Sequence, residues 1–147
     1  MRNHEDTMST KDTNPSRLKI ATPLSDDLEA LAYDVIGCCV AVHRILGPGL
    51  LETVYAQAVR LEMKAQGIPF EAEKAIPVRY REILLCHQRL DLFVAGQIVL
   101  ELKSVEHLSA IHVAQILSYL RVAKVRLGLL VNFNVYQLKD GIRRVIL

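Results

Sequence analysis

The sequence predicts a single α/β domain whose mixed central sheet is packed by helices. Three observations carry this: apolar residues recur at helical spacing over 27–46, short strand patterns separated by turn signals fill 70–103, and helical spacing returns over 109–124 before an apolar run at 126–133. Residues 26–147 are expected to form the domain and residues 1–25, which mix Asn, Asp, Thr, Ser, Lys and Pro without apolar period, a disordered leader.

Asp26 with Glu29 gives a capping-box pattern, and Leu28, Leu31, Ala32, Val35, Ile36, Cys39, Val42 and Leu46 then mark one face of a helix. Gly47 and Pro48 stop it, and a second helix starts near Leu50 and ends before Gly67 and Pro69. From Phe70 the period shortens. Ile76, Val78 and Tyr80, then Ile83 to Cys86, then Arg89 to Val94 and Gln97 to Lys103, punctuated by short turn signals, read as a three-strand meander. Ile111, Ala114, Leu117 and Leu120 restore helical spacing, and Arg126 to Phe133 reads as a buried strand. The third strand, this helix and the last strand then form a right-handed crossover between parallel partners.

The 147-residue length suits one domain, and 51% hydrophobic residues supply its core. A formal charge of +2 permits a polyanionic partner without requiring one. No stretch approaches the roughly 20 apolar residues that cross a bilayer, and the polar N-terminal residues do not resemble a signal, so a cytoplasmic protein is expected. Cys38, Cys39 and Cys86 are odd in number and lack C-x-x-C spacing, which argues for reduced, mostly buried thiols.

The tight connection around Ala95 and Gly96 makes 89–94 and 97–103 a hairpin whose register can be decided on paper. A two-residue loop pairs Asp91 with Leu100 and Leu90 with Glu101, mixing charge and hydrophobe on both faces. A three-residue loop pairs Leu90 with Leu102, Leu92 with Leu100 and Val94 with Ile98, making one face aliphatic, and is selected. It sets Asp91 opposite Glu101 at about 5 Å between Cβ atoms, with Lys103 two residues on along the same face. Carboxylates that close repel unless a cation lies between them. Arg89 falls opposite Lys103, a like-charge pair that an anion would relieve. The two conflicts together describe a divalent metal held against a phosphate. The alternative is a solvated sheet face on which Arg89 and Lys103 pair diagonally with the carboxylates.

Gly49-Leu50-Leu51-Glu52-Thr53-Val54-Tyr55, taken with these strands, resembles the signature of the GxxExxY family, which is grouped with the PD-(D/E)XK nuclease superfamily. Arg89-Leu90-Asp91 and Glu101-Leu102-Lys103 resemble the superfamily's second- and third-strand motifs, with Leu90 where the nominal pattern has Pro. The resemblance covers about residues 27–147. It implies a restriction-endonuclease-like core of helix, three-strand meander, helix and strand, and metal-dependent nuclease chemistry on DNA or RNA. It also implies that the main-chain carbonyl of Leu102 and the carboxylate of Glu52 join Asp91 and Glu101 around Mg²⁺ or Mn²⁺, and that Gln115 with Tyr119 supplies the polar helix residues.

Asp91 and Glu101 are hard oxygen donors suited to those ions, and Lys103 can orient or deprotonate the attacking water. Glu52 opens its helix, where an acid is favoured by the dipole whether or not it meets metal. Gln115, Tyr119 and His112 share a helix face. Arg89, Tyr119 and Tyr55 are the expected substrate contacts. A second reading is a non-catalytic nucleic-acid-binding or protein-interaction module on the same fold. A third, a homodimer, uses the apolar stripe Leu28, Val35 and Val42.

Overall fold

The computed structural model describes residues 23–147, so all but the last three residues of the expected leader lie outside the described residues. Helix α1 spans Asp26–Leu46 and α2 spans Glu52–Ala65. The cap of α1 is Ser25, one residue earlier than the sequence pattern suggests: its hydroxyl accepts the Leu28 N–H at 3.2 Å. Gly47, at φ 67°, ends α1 by donating its N–H to the His43 carbonyl.

Strands β1 (Phe70–Tyr80), β2 (Ile83–Val94) and β3 (Ile98–Lys103) form the meander, α3 (Ala110–Ala123) crosses over, and β4 (Leu127–Asn132) returns parallel to β3. The sheet order is β1-β2-β3-β4-β5, with every other pairing antiparallel. β5 (Ile142–Ile146), reached through a 3-10 turn at Leu138–Gly141, is an addition to the expected elements. Five residues that include Arg143 and Arg144 offer too short an alternation to be read as a strand.

Helices cover both faces. Against one face, Val35, Cys38, Cys39 and Val42 of α1 and Tyr55, Val59 and Met63 of α2 pack on Leu92, Leu100, Leu102 and Leu129. Against the other, Ile116, Tyr119 and Leu120 of α3 pack on Leu90, Val99, Leu130 and Val145. Sandwiched between them, β3 and β4 are buried almost throughout, which explains their continuous apolar runs. The α1 stripe of Leu28, Val35 and Val42 is consumed by this chain's own core and so carries no argument for a dimer. Cys38 and Cys39 are buried as expected, whereas Cys86 is exposed on β2.

The 3-10 turn meets the end of β4 at Gly141, where a Cβ would overlap the main-chain oxygen of Asn132. Gly141→Ala should therefore destabilise the chain by about 1–3 kcal/mol, because the obstacle is backbone that cannot rotate away. Denaturant titration checks this, and an unchanged midpoint would mean that the turn can shift.

Candidate active site

The β2–β3 hairpin turns through Ala95 and Gly96, at φ 52° and 66°, with the Gln97 N–H donating to the Val94 carbonyl at 2.9 Å. The ladder pairs Leu92 with Leu100, Phe93 with Val99 and Val94 with Ile98, the register chosen by hydrophobic matching. Beyond Leu92 the two strands part. Leu90 does not face Leu102 as expected: it joins the α3 core, whereas Leu92 and Leu102 lie in the core beneath α1 and α2. Residues two apart on a regular strand share a face, so β2 changes face at Asp91. Its neighbour β1 is irregular at the same level, where Glu73 takes φ 51°. Arg89 accordingly pairs with Ala75 of β1 and not with Lys103, and the expected Arg89–Lys103 conflict does not arise.

Where the ladder opens, two main-chain N–H groups lose their strand partners, and each is capped by the opposite strand's carboxylate. Asp91 N–H donates to Glu101 Oε2 at 2.9 Å, and Leu102 N–H donates to Asp91 Oδ2 at 2.8 Å. This reciprocal clasp fixes Asp91 and Glu101 against one another with Glu101 only 5% exposed.

Burial, and then the neighbouring charge of Asp91, pushes the Glu101 carboxyl up to about 8, against the pull of the Asp91 N–H and of Lys103. Asp91 is also raised, chiefly by burial, with Glu52 adding to the rise and the Leu102 N–H, Lys103 and Arg60 opposing it. Lys103 therefore sits within electrostatic reach of both acids.

Glu52, the first residue of α2, acts on both acids too, and its Oε2 accepts the Ser104 N–H at 3.4 Å. From the other side α3 presents Tyr119, whose hydroxyl is shifted up by burial and by the charges of Glu101 and Asp91. Gln115 lies exposed one turn before it and makes no side-chain hydrogen bond among the described residues. His112 closes a capping box with Ser109 at the start of α3.

Tyr55, expected to touch substrate, is fully buried. Its hydroxyl donates to the Gly47 carbonyl at 2.5 Å and accepts the Leu50 N–H at 3.1 Å, and its ring stacks on Phe133 at 4.4 Å. It staples the turn that delivers Glu52. Asn132, also buried, performs the matching task for β3: its amide bonds both N–H and C=O of Val105, just past Lys103. Sequence reasoning missed Asn132, and it missed Arg60, which stands two helical turns after Glu52 on the face marked by Glu52, Ala56 and Arg60. That four-residue spacing was the available signal.

A cavity of about 290 Å³ opens beside Asp91, lined by Glu52, Ala56, Arg60, Glu73 and Arg89 among others. Among the described residues no three His, Cys, Asp or Glu side chains converge as a ready metal cage. The donor chemistry nevertheless suits a hard divalent cation. Asp91 and Glu101 each commit one oxygen to the clasp, so Oδ1 and Oε1 accept no hydrogen bond from the described residues. A hard cation held by these two residues would offset the charge of Asp91, which after burial is the second cause of the rise at Glu101.

A family model of the PD-(D/E)XK nuclease superfamily matches residues 29–145. No curated protein and no solved structure matches. Among the described residues, no helix is long and apolar enough to cross a membrane.

Proposed function

The chain belongs to the PD-(D/E)XK nuclease superfamily and has its restriction-endonuclease-like core, and from that premise we propose that it is a metal-dependent nuclease hydrolysing phosphodiester bonds in DNA or RNA. The observation that supports this most is the clasp of Asp91 and Glu101, which sets two carboxylates side by side, with Asp91 lining a cavity.

Asp91 and Glu101 would hold Mg²⁺ or Mn²⁺, with the Leu102 carbonyl and Glu52 completing the protein's share of the ligands. When bound, the cation polarises the phosphate and offsets its charge. Lys103 orients the attacking water, which gives up a proton to bulk solvent as its oxygen bonds to phosphorus. The bond from phosphorus to the leaving oxygen breaks, and that oxygen takes up a proton from solvent. The Lys103 ammonium also stabilises the charge that develops on the phosphoryl oxygens. Gln115, Tyr119 and Arg89 are assigned to the substrate backbone. The GxxExxY resemblance supports the inclusion of Glu52.

Cleavage of single- and double-stranded DNA and RNA, measured with and without Mg²⁺ or Mn²⁺ beside a Glu101→Ala control, tests the proposal. Metal-dependent cleavage lost in the control supports it. Binding without cleavage of any of these substrates would replace it with the non-catalytic module.

Glu52 offers a finer test. Glu52→Gln keeps the shape and the bond to Ser104, so a role confined to the helix end predicts unchanged turnover. A role at the metal predicts a loss of about tenfold or more, partly recovered at high Mn²⁺, and this is the expected result. Unchanged turnover at limiting Mg²⁺ would remove Glu52 from the site.

A further inference from the structure

The cavity beside Asp91 holds a second group of charges for which metal binding has no use. Arg60 of α2 and Arg89 of β2 converge on one carboxylate of β1: Arg60 Nη2 lies 3.4 Å from Glu73 Oε2, and Arg89 Nη1 lies 3.9 Å from Glu73 Oε1. All three side chains line the cavity together with Asp91 and Glu52.

Arg60 is the more buried of the two cations, with its side chain 29% exposed against 70% for Arg89. Its Nε is buried and lacks a hydrogen-bond partner. A desolvated donor without an acceptor is unfavourable, and an acceptor entering the cavity would satisfy it. Guanidinium groups present a planar fork that matches the oxygens of a phosphate. Ala56, one turn before Arg60 on the same helix face, lines the cavity beside it. Glu73 holds its position with a left-handed backbone, φ 51°, that non-glycine residues seldom adopt. This places its two oxygens between the two guanidiniums, as two oxygens of a phosphate would lie.

We propose that Arg60 and Arg89 form a subsite for a phosphate group next to the scissile one on the substrate strand, and that Glu73 occupies it until the strand displaces it. This rests on the phosphodiesterase reading, because the cavity is continuous with Asp91. The two arginines would fix where the strand lies relative to the clasp, and Glu73 would set how readily it enters.

The test is equilibrium binding of a DNA dodecamer, prepared with a 5′-phosphate and with a 5′-hydroxyl, with Ca²⁺ replacing Mg²⁺ so that the strand is not consumed. Arg60→Gln should weaken binding by about tenfold or more, and should make its salt dependence shallower by about one phosphate contact. Arg89→Gln should weaken it in the same direction. Glu73→Gln should tighten it several-fold, because a competitor for both arginines is removed. This opposite sign separates the subsite from a merely structural ion-pair cluster, in which every substitution weakens binding. An effect seen with both oligonucleotides assigns the subsite to an internal phosphate, and one confined to the 5′-phosphorylated strand assigns it to a strand end. An Arg60→Gln variant with wild-type affinity and salt slope, or weaker binding by Glu73→Gln, would overturn the proposal. Cleavage is scored separately: a wild type that cleaves but binds independently of Arg60 loses only the subsite. One that binds through Arg60 and never cleaves loses only the phosphodiesterase reading.

Discussion

Asp91→Ala and Glu101→Ala should each lower metal-dependent cleavage by about 10³-fold or more while the chain remains folded. Each substitution removes one of the two carboxylates that lie within electrostatic reach of Lys103. The fold is expected to survive because two effects on stability oppose one another. Removing either side chain leaves a main-chain N–H uncapped, that of Leu102 or that of Asp91, which costs about 1–3 kcal/mol. It also ends the repulsion between the buried acids, which has the opposite sign. The isosteric pair Asp91→Asn and Glu101→Gln sharpens the result. An amide oxygen can still accept the clasp's hydrogen bond but is a much poorer metal ligand, so activity should fall as far while stability is kept. Wild-type cleavage by any of the four variants would rule out the assignment.

The second large effect concerns stability and pH. Between about 4.5 and about 8, Glu101 is protonated in the folded chain and ionised in the unfolded one. The folded state then binds more protons, so stability must fall as pH rises through this window. The stabilising contribution is complete below 4.5, Glu101's unperturbed value, and is lost once pH passes the folded value near 8. Asp91, also raised, adds to the loss in the same direction. The expected decline in chelator-treated protein is on the order of 5 kcal/mol across the window, and Glu101→Gln should abolish most of it. Adding Mg²⁺ or Mn²⁺ should restore stability most strongly at the alkaline end, because a bound cation favours the ionised carboxylates. Denaturant unfolding at a series of pH values measures both effects. Parallel curves for wild type and Glu101→Gln would show that the two acids are not coupled as the clasp requires.

Arg60 and Glu73 show why part of the site was illegible in the sequence. Each looks like an ordinary surface charge in its own segment, and they meet only because the fold brings α2 and β1 to the same cavity. Tyr55 illustrates the converse. Its place one turn after Glu52 was plain, but whether its hydroxyl reached substrate or backbone depended on the turn at Gly47 and on Phe133, far along the chain.

The sequence by itself determined what depends on local period and neighbouring pairs. These are the extents of α1, α2 and α3, the three-residue hairpin loop, the rungs from Leu92–Leu100 to Val94–Ile98, and the order of Asp91, Glu101 and Lys103 on adjacent strands. Hydrophobic matching sufficed there because a slip of one residue would turn every apolar side chain to the wrong face. Only the tertiary structure decided where that pairing stops. β3 is six residues long and β2 twelve, so most of β2 has β1 as its sole strand partner, and at the fork Leu90 turns to the α3 core while Leu92 stays beneath α1 and α2. An alternating pattern cannot reveal such a change of face, because it depends on which helix covers each side. That fork turns two carboxylates expected to lie across a ladder into a buried clasp, and it is burial, a property of the assembled layers, that raises Glu101.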